Sequence, residues 1–462
     1  MTTSPSEPAP AKGKEDPTGI IAEPAAAVAG SAQTGGLRTA FAPTLLIALA
    51  ALAAVAPLAM DAYLPAFSRM SADLGVSAST TQLTLTMFLV GVALGQLSIG
   101  VLSDRFGRRP LLLWGSVLAF AAGAGAALAP GAGLLLVARF FQGLGGAAGM
   151  VLGRAVISDR SRGITAARAL SLVMAIQGIA PVVAPILGGA LVGPVGWRGI
   201  LAVVAAFQGL LVIAVALWVP ETLPAGGRHD GGLGVLVEGT AALSKDRVFV
   251  RVIVINALVY ALLTAYLSAA PFILQGVLGM ATAAYTAVFA VCGLTVTLVV
   301  AACGSLAGRV SPERQVRMGI IAVLAIDVVF AVVCAGALDG PVGAGSRALL
   351  TAITVGLFIA HVIGLGTCIG NLPAIALGRT GRWAGTGSAL LGFVQFVFGG
   401  LASPLVGLSG ATSGVAFGVV IVVLGAVANA LAAFGLRDRG ERERIRAERA
   451  AARSRRLGRD QL

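Results

Sequence analysis

The chain has 462 residues, of which 57% are hydrophobic and only 11% charged, and its mean hydropathy is +0.93. Soluble domains carry about 25% charge, so this composition excludes a soluble enzyme or binding module, and its hydrophobicity excludes disorder. The net charge of +13 would suggest nucleic acid in a soluble protein, but basic loops also set membrane topology.

Residues 1–38 are rich in Pro, Ala, Ser and Gly and read as a disordered cytoplasmic tail. Ile20-Ile21 runs straight into Glu23-Pro24, so no signal-peptide core forms there. From residue 41 the chain alternates long apolar stretches with short polar breaks. A spanning helix needs roughly 20 mainly apolar residues. Twelve stretches qualify: 41–66, 79–102, 110–129, 133–157, 167–192, 199–219, 249–275, 283–305, 317–337, 347–371, 383–407 and 412–436. Lipid leaves no partner for free backbone groups, so each is read as a helix. The expected fold class is an all-α integral membrane protein with twelve transmembrane helices.

The basic residues test that count. With the N-terminus inside, 29 of the 33 Lys and Arg fall on one side. Only Arg69, Arg198 and Arg347 fall on the other, and Arg139 lies within a span. This asymmetry predicts a cell-membrane protein with both termini cytoplasmic. The break at 221–248 is the longest internal loop and separates a first six-helix half, 39–220, from a second, 249–436. Residues 437–462 form a basic tail with ten Arg, expected to be solvated or to lie on the bilayer, not to bind nucleic acid. Ala62-Tyr63-Leu64 recurs as Ala265-Tyr266-Leu267, and Gly100-Val-Leu-Ser-Asp104-Arg105 is echoed by Gly304-Ser-Leu-Ala-Gly308-Arg309. The nearly equal offsets suggest that the halves are repeats.

The most specific stretch is Gly100-Val-Leu-Ser-Asp104-Arg105-Phe106-Gly107-Arg108-Arg109, in the loop after the second span. It resembles the signature loop of the major facilitator superfamily. That resemblance implies two six-helix halves and a conformational latch between them, carried by Gly100, Asp104, Arg105, Gly107, Arg108 and Arg109. Gly308 stands where the second half would repeat Asp104, so the latch is expected to be asymmetric. Arg139-Phe-Phe-Gln142-Gly143 resembles the family's fourth-span motif with its buried Arg. Gly178-Ile-Ala-Pro181-Val-Val-Ala184-Pro185-Ile-Leu-Gly188-Gly189 resembles the antiporter motif of drug/proton exchangers, with Ala184 where Gly is usual. The resemblance implies that Gly178, Pro181, Pro185, Gly188 and Gly189 bend and seal the fifth span. Met60-Asp61-Ala-Tyr63-Leu64-Pro65 and Pro220-Glu221-Thr222-Leu223-Pro224 look like the bicyclomycin/chloramphenicol resistance branch.

Asp61 is the only acid within the first six spans, and Arg139 falls early in the fourth. A charge at membrane depth should face a cavity or a partner. A proton exchanger needs a carboxyl that loads on one side and releases on the other. Asp61 and Arg139 are therefore the proton-coupling candidates. Tyr63, Gln142, Asn256 and Tyr260 are the candidates for the substrate cavity wall. Asp327 and His361 sit in the ninth and tenth spans with no motif around them and are given no role. The four cysteines read as small buried hydrophobes. No phosphate-binding GxxxxGK[ST] occurs, so an ion gradient must drive any transport.

The expected function is a proton-coupled secondary transporter exporting small drug-like compounds, monomeric, in the lipid bilayer, with protons and a small-molecule substrate as its only partners. It is expected to be no enzyme and to need no cofactor or metal. The nearest alternative is a same-fold exporter or symporter of a metabolite; a membrane sensor is more remote.

Overall fold

The computed structural model describes residues 41–435, apart from 225, 227, 229–231, 307, 340–342 and 411. The expected tails 1–38 and 437–462 lie outside the described residues. Twelve helices are long and apolar enough to cross a membrane, in the order and close to the bounds expected.

The first span is α1 (Pro43–Asp61), a 3-10 turn (Leu64–Ala66) and α2 (Phe67–Leu74). It is followed by α3 (Ala78–Phe106), α4 (Arg108–Ala127), α5 (Ala132–Arg160), α6 (Gly163–Val192) and α7 (Gly196–Trp218). After α8 (Gly232–Ser244) come α9 (Arg247–Pro271), α10 (Thr282–Leu306), α11 (Pro312–Ala337) and α12 (Ala344–Ile369). The last are α13 (Asn371–Leu377), α14 (Ala384–Leu405) and α15 (Val415–Gly435). Local chemistry sets several boundaries. The Ser77 hydroxyl accepts from Thr80 N at 3.1 Å and starts α3. Asp246 accepts from Val248 N at 2.9 Å and starts α9. Gly75, at φ 62°, ends α2 in the left-handed conformation.

Two thirds of the apolar core of the first span and of α9 (67% each) is enclosed, against 22% for α6 and 17% for α10. The first span and α9 are therefore inner helices. α6 and α10 present most of their surface outward and meet each other through Gly293 against Val182 and Pro181.

The long pairing of α3 with α14, together with α6 on α10, joins the first six spans to the last six. Away from the linker this junction is tightly hydrogen bonded. Ser79 Oγ donates to Pro404 O (2.9 Å), Gln82 Nε2 to Ser268 O (3.0 Å) and Thr86 Oγ1 to Gly400 O (2.7 Å). At the linker end a cavity of ≈ 350 Å³ lies between α3, α5, α8 and α14. Gln96, Asp104, Arg154 and Ser388 contribute to its wall.

The linker is not only a loop. Its 232–244 portion folds as α8, which the glycine-rich sequence concealed. Two of those glycines are contact points: a Cβ at Gly232 would stand 2.9 Å from Val101 Cγ1, and one at Gly239 would stand 2.7 Å from Thr386 Oγ1. Without side chains there, α8 lies against both α3 and α14.

Candidate transport site

Asp61 is the last residue of α1. Pro57, four residues earlier, lies inside the helix and removes a backbone donor there. Pro65 then directs the chain into the 3-10 turn. Asp61 is 1% exposed, and neither of its carboxyl oxygens has a hydrogen-bond partner. Three tyrosines of the last six spans lie within its electrostatic reach: Tyr260 and Tyr266 of α9 and Tyr285 of α10. Asp61 therefore sits on the surface where the two sets of six helices meet.

Arg139 of α5 is fully buried, with 0% exposure. Asp61 and Arg139 form no ion pair. Instead, Arg139 Nη2 donates to Ala59 O at 3.0 Å and Nη1 to Gln142 Oε1 at 2.6 Å. Its guanidinium carbon lies 4.4 Å from the ring centroid of Tyr63 and 4.4 Å from that of Phe88. Each desolvated cation–π contact contributes about 2 kcal/mol, and a lone Arg at membrane depth costs at least about 2.5–3.5 kcal/mol. Two rings and two acceptors are enough to hold the cation without an anion. The grip has a geometric consequence. Ala59 and Tyr63 flank Asp61 in the chain, so Arg139 holds a backbone carbonyl on one side of the carboxyl and a ring on the other without bonding to the carboxyl itself.

The four cavity-wall candidates separate into two groups. Tyr63 and Gln142 belong to the Arg139 assembly. Tyr63 OH pairs with Thr84 Oγ1 at 3.0 Å, and Gln142 Nε2 donates to Gln208 Oε1 at 3.1 Å. Asn256 and Tyr260 lie on α9 and face α14. Asn256 Nδ2 donates to Gln395 Oε1 at 3.0 Å, and the Tyr260 ring meets Phe396 edge-on at 5.2 Å. Tyr260 is only partly buried.

The six-residue latch candidate is an interlocked cluster at the linker end. Arg108 pairs with Asp104 (2.8 Å) and with Asp159 at the end of α5 (3.3 Å). Thr222 Oγ1 donates to the same Asp159 oxygen (2.9 Å). Arg109 Nη2 donates to Ala216 O (2.8 Å). Gly107 has φ 97°, and a Cβ there would stand 2.5 Å from Glu221 Oε2. Glu221 accepts from Arg108 N (3.0 Å) and Leu223 N (2.9 Å), and so caps α4. Burial alone would raise the Glu221 carboxyl, but backbone N–H donors from Leu223, Arg108 and Arg109 hold it below the ordinary carboxylate value. Arg105 lies with its guanidinium 5.3 Å from the Phe106 ring centroid. Gly100 lines the ≈ 350 Å³ cavity. Sequence reasoning missed Glu221 and Asp159 as members of this cluster. The signal was present in Pro220-Glu221-Thr222, a helix-terminal acid beside a basic loop.

In α6, Pro181 and Pro185 lie inside the helix. A Cβ at Gly188 would collide with the Ala62 carbonyl, and one at Gly189 would collide with the Thr286 hydroxyl of α10. Gly188 and Gly189 thus let α6 wedge between the residue after Asp61 and the other six-helix set. Gly178 has nothing within 4 Å of a built Cβ, so it does not share that contact.

The family profile of the Major Facilitator Superfamily matches residues 49–404. The chain belongs to this superfamily. It is a transporter, not an enzyme, as expected from its motifs. The chain is 34% identical to a Bacillus subtilis protein described as uncharacterized MFS-type transporter YdgK, over 85% of this chain and 95% of that one. It is 28% identical to the bicyclomycin resistance protein homolog of Haemophilus influenzae, over 78% of this chain and 88% of the other. It is 31% identical to the chloramphenicol resistance protein of Pseudomonas aeruginosa, over 75% and 78%. Among solved structures, a D-xylose-proton symporter superposes with a TM-score of 0.64 at 15% identity, covering 85% of this chain and 98% of that one. An inward-facing bacterial homolog of the lysosomal transporter Spinster superposes at 0.65 and 16% identity, covering 85% and 96%. These two likenesses establish the fold alone.

Proposed function

We propose that this transporter exports small drug-like compounds in exchange for protons, with Asp61 as the proton-carrying group and Arg139 as the residue that positions it. The observation that carries this reading is the Asp61 carboxyl: buried at the meeting surface of the two halves, without a hydrogen-bond partner, and clasped on both sides by a cation that does not neutralise it. A buried carboxylate without a partner is strongly disfavoured, the neutral acid much less so. The closed junction around Asp61 is thus compatible with its protonated form, and hydration on opening permits release.

With both termini cytoplasmic, the hydrogen-bonded far end faces outward and the ≈ 350 Å³ cavity faces the cytoplasm. A drug enters there, toward Asn256 and Tyr260 on α9. The Asp104–Arg108–Asp159–Glu221 cluster acts as the latch that must rearrange when the cytoplasmic side closes. α6, seated by Gly188 and Gly189, bars water from leaking past Asp61. A membrane potential supplies about 2.3 kcal/mol per charge per 100 mV, so each proton carried inward can drive export.

Everted vesicles holding a preset pH gradient test the reading with a compound panel that includes chloramphenicol. Substrate addition should release protons in the wild type and clearly fewer per drug in Asp61→Asn. An undiminished release in Asp61→Asn, or a panel without any response, overturns the coupling assignment.

A further inference from the structure

The last six spans contain a titratable pair that the proposed cycle does not use. His361 of α12 and Asp327 of α11 are both 0% exposed, and His361 Nδ1 lies 2.6 Å from Asp327 Oδ1. The outer atoms of the pair, His361 Nε2 and Asp327 Oδ2, have no hydrogen-bond partner. Asp327 Oδ2 points to Gly425 of α15, where a Cβ would stand 3.3 Å away. The His361 ring lies 6.4 Å from that of Tyr266. Tyr266 thus neighbours this pair and lies within electrostatic reach of Asp61.

The neighbours offer no compensating charge. On α9 the charged residues, Arg247 and Arg251, are at the linker end; the titratable groups facing inward are Tyr260 and Tyr266. α10 has no charged residue, only Tyr285, Cys292 and Cys303. On α11, Glu313, Arg314 and Arg317 lie in the first turns, and Cys334 two turns beyond Asp327. α12 has Arg347 at its start and Cys368 near its end, while α13 and α15 have no titratable residue. The Tyr266 hydroxyl is engaged with Cys292.

Proton counting then fixes what the pair must hold. With one shared proton the unit is a neutral imidazole and a carboxylate, a net negative charge without a counter-ion in a fully buried position. With two protons it is neutral overall. The first lies in the Nδ1–Oδ1 contact. The second sits on Nε2 or on Oδ2, the two atoms left without a partner. Burial favours the two-proton state and hydration favours the one-proton state.

We propose that His361 and Asp327 form a second proton-binding site, in the C-terminal half, which gains and loses one proton as the halves open and close. It rests on the proposed exchange reading for its place in a transport cycle, but its titration is independent of any substrate.

The test exploits composition: the chain contains only two histidines, His229 and His361. Full-length His229→Gln protein, labelled with ¹⁵N-histidine and held in lipid nanodiscs, gives one imidazole signal. Its ring nitrogens are followed from about pH 5 to about pH 9. A reversible change of protonation state within that range, displaced in Asp327→Asn, is the expected result. A single protonation state throughout overturns the proposal, and the wild-type pair decides this even if Asp327→Asn does not fold. A second readout uses chloramphenicol in everted vesicles. If it is exchanged, His361→Gln should release about half as many protons per drug as the parent; an unchanged ratio overturns the proposal. If no compound releases protons while His361 titrates, the exchange reading fails and the second site stands.

Discussion

If two aromatic rings stand in for a counter-ion at Arg139, that substitution is measurable. The perturbation is a double-mutant cycle between Arg139→Met and Phe88→Leu. The guanidinium lies 4.4 Å from the Phe88 ring centroid, fully buried, where a cation–π contact is worth about 2 kcal/mol. Replacing Phe88 by Leu also changes packing, but that loss occurs with or without Arg139 and cancels in the cycle. The coupling energy should therefore be about 1–2 kcal/mol, the range for residues in direct contact. Equilibrium unfolding in mixed micelles supplies the four stabilities. A coupling below about 0.5 kcal/mol, the scatter of independent sites, would refute the claim that the rings hold the charge. The same cycle between Arg139→Met and Asp61→Asn should give a smaller coupling than that with Phe88, because the two residues form no ion pair.

Gly188→Ala forces a methyl group into the Ala62 carbonyl, so it should destabilise by about 1–3 kcal/mol and make the vesicles leak protons without drug; a tight vesicle with normal stability would sever the link between α6 and the Asp61 segment. Burial would raise both the Glu221 and the Asp246 carboxyl, but Glu221 is held below its ordinary value of 4.5 by hydrogen bonds from backbone N–H groups, and Asp246 below 3.8 chiefly by Arg379 and then by the N–H groups of Phe249 and Val248. Their stabilisation is complete above those values and is lost as pH falls through the lower folded-state values, so Glu221→Gln should flatten the acid limb of a melting-temperature profile, and an unchanged limb counts against the clasp.

The twelve spans were legible because each is a contiguous apolar run, a property of sequence alone. α8 was not, because its glycines, read as loop residues, are packing surfaces whose partners Val101 and Thr386 lie far away in the chain. At the site, Asp61 and Arg139 stood out as isolated charges. Their relationship did not, since Arg139 acts through Ala59, Tyr63 and Phe88, which only the folding of α1, α3 and α5 brings together. Tyr63 and Gln142 carry the right chemistry for a cavity wall, yet their polar atoms are already engaged with Thr84, Arg139 and Gln208. Asp327 and His361 are 34 residues apart on separate helices, and no local pattern announces their contact.

The missing ion pair also bears on which molecules the transporter can accept. Because Arg139 keeps its charge without an anionic mate, the Asp61–Arg139 region swings between net +1 with the acid protonated and net zero with it ionised. It never becomes net negative. On the proposed cycle, a cationic compound is repelled in the proton-loaded state and tolerated in the unloaded one, which makes cation and proton mutually exclusive through field alone. A neutral compound feels no such swing and must compete with the proton by volume. Charge variants of one scaffold should therefore differ in how steeply their export depends on pH.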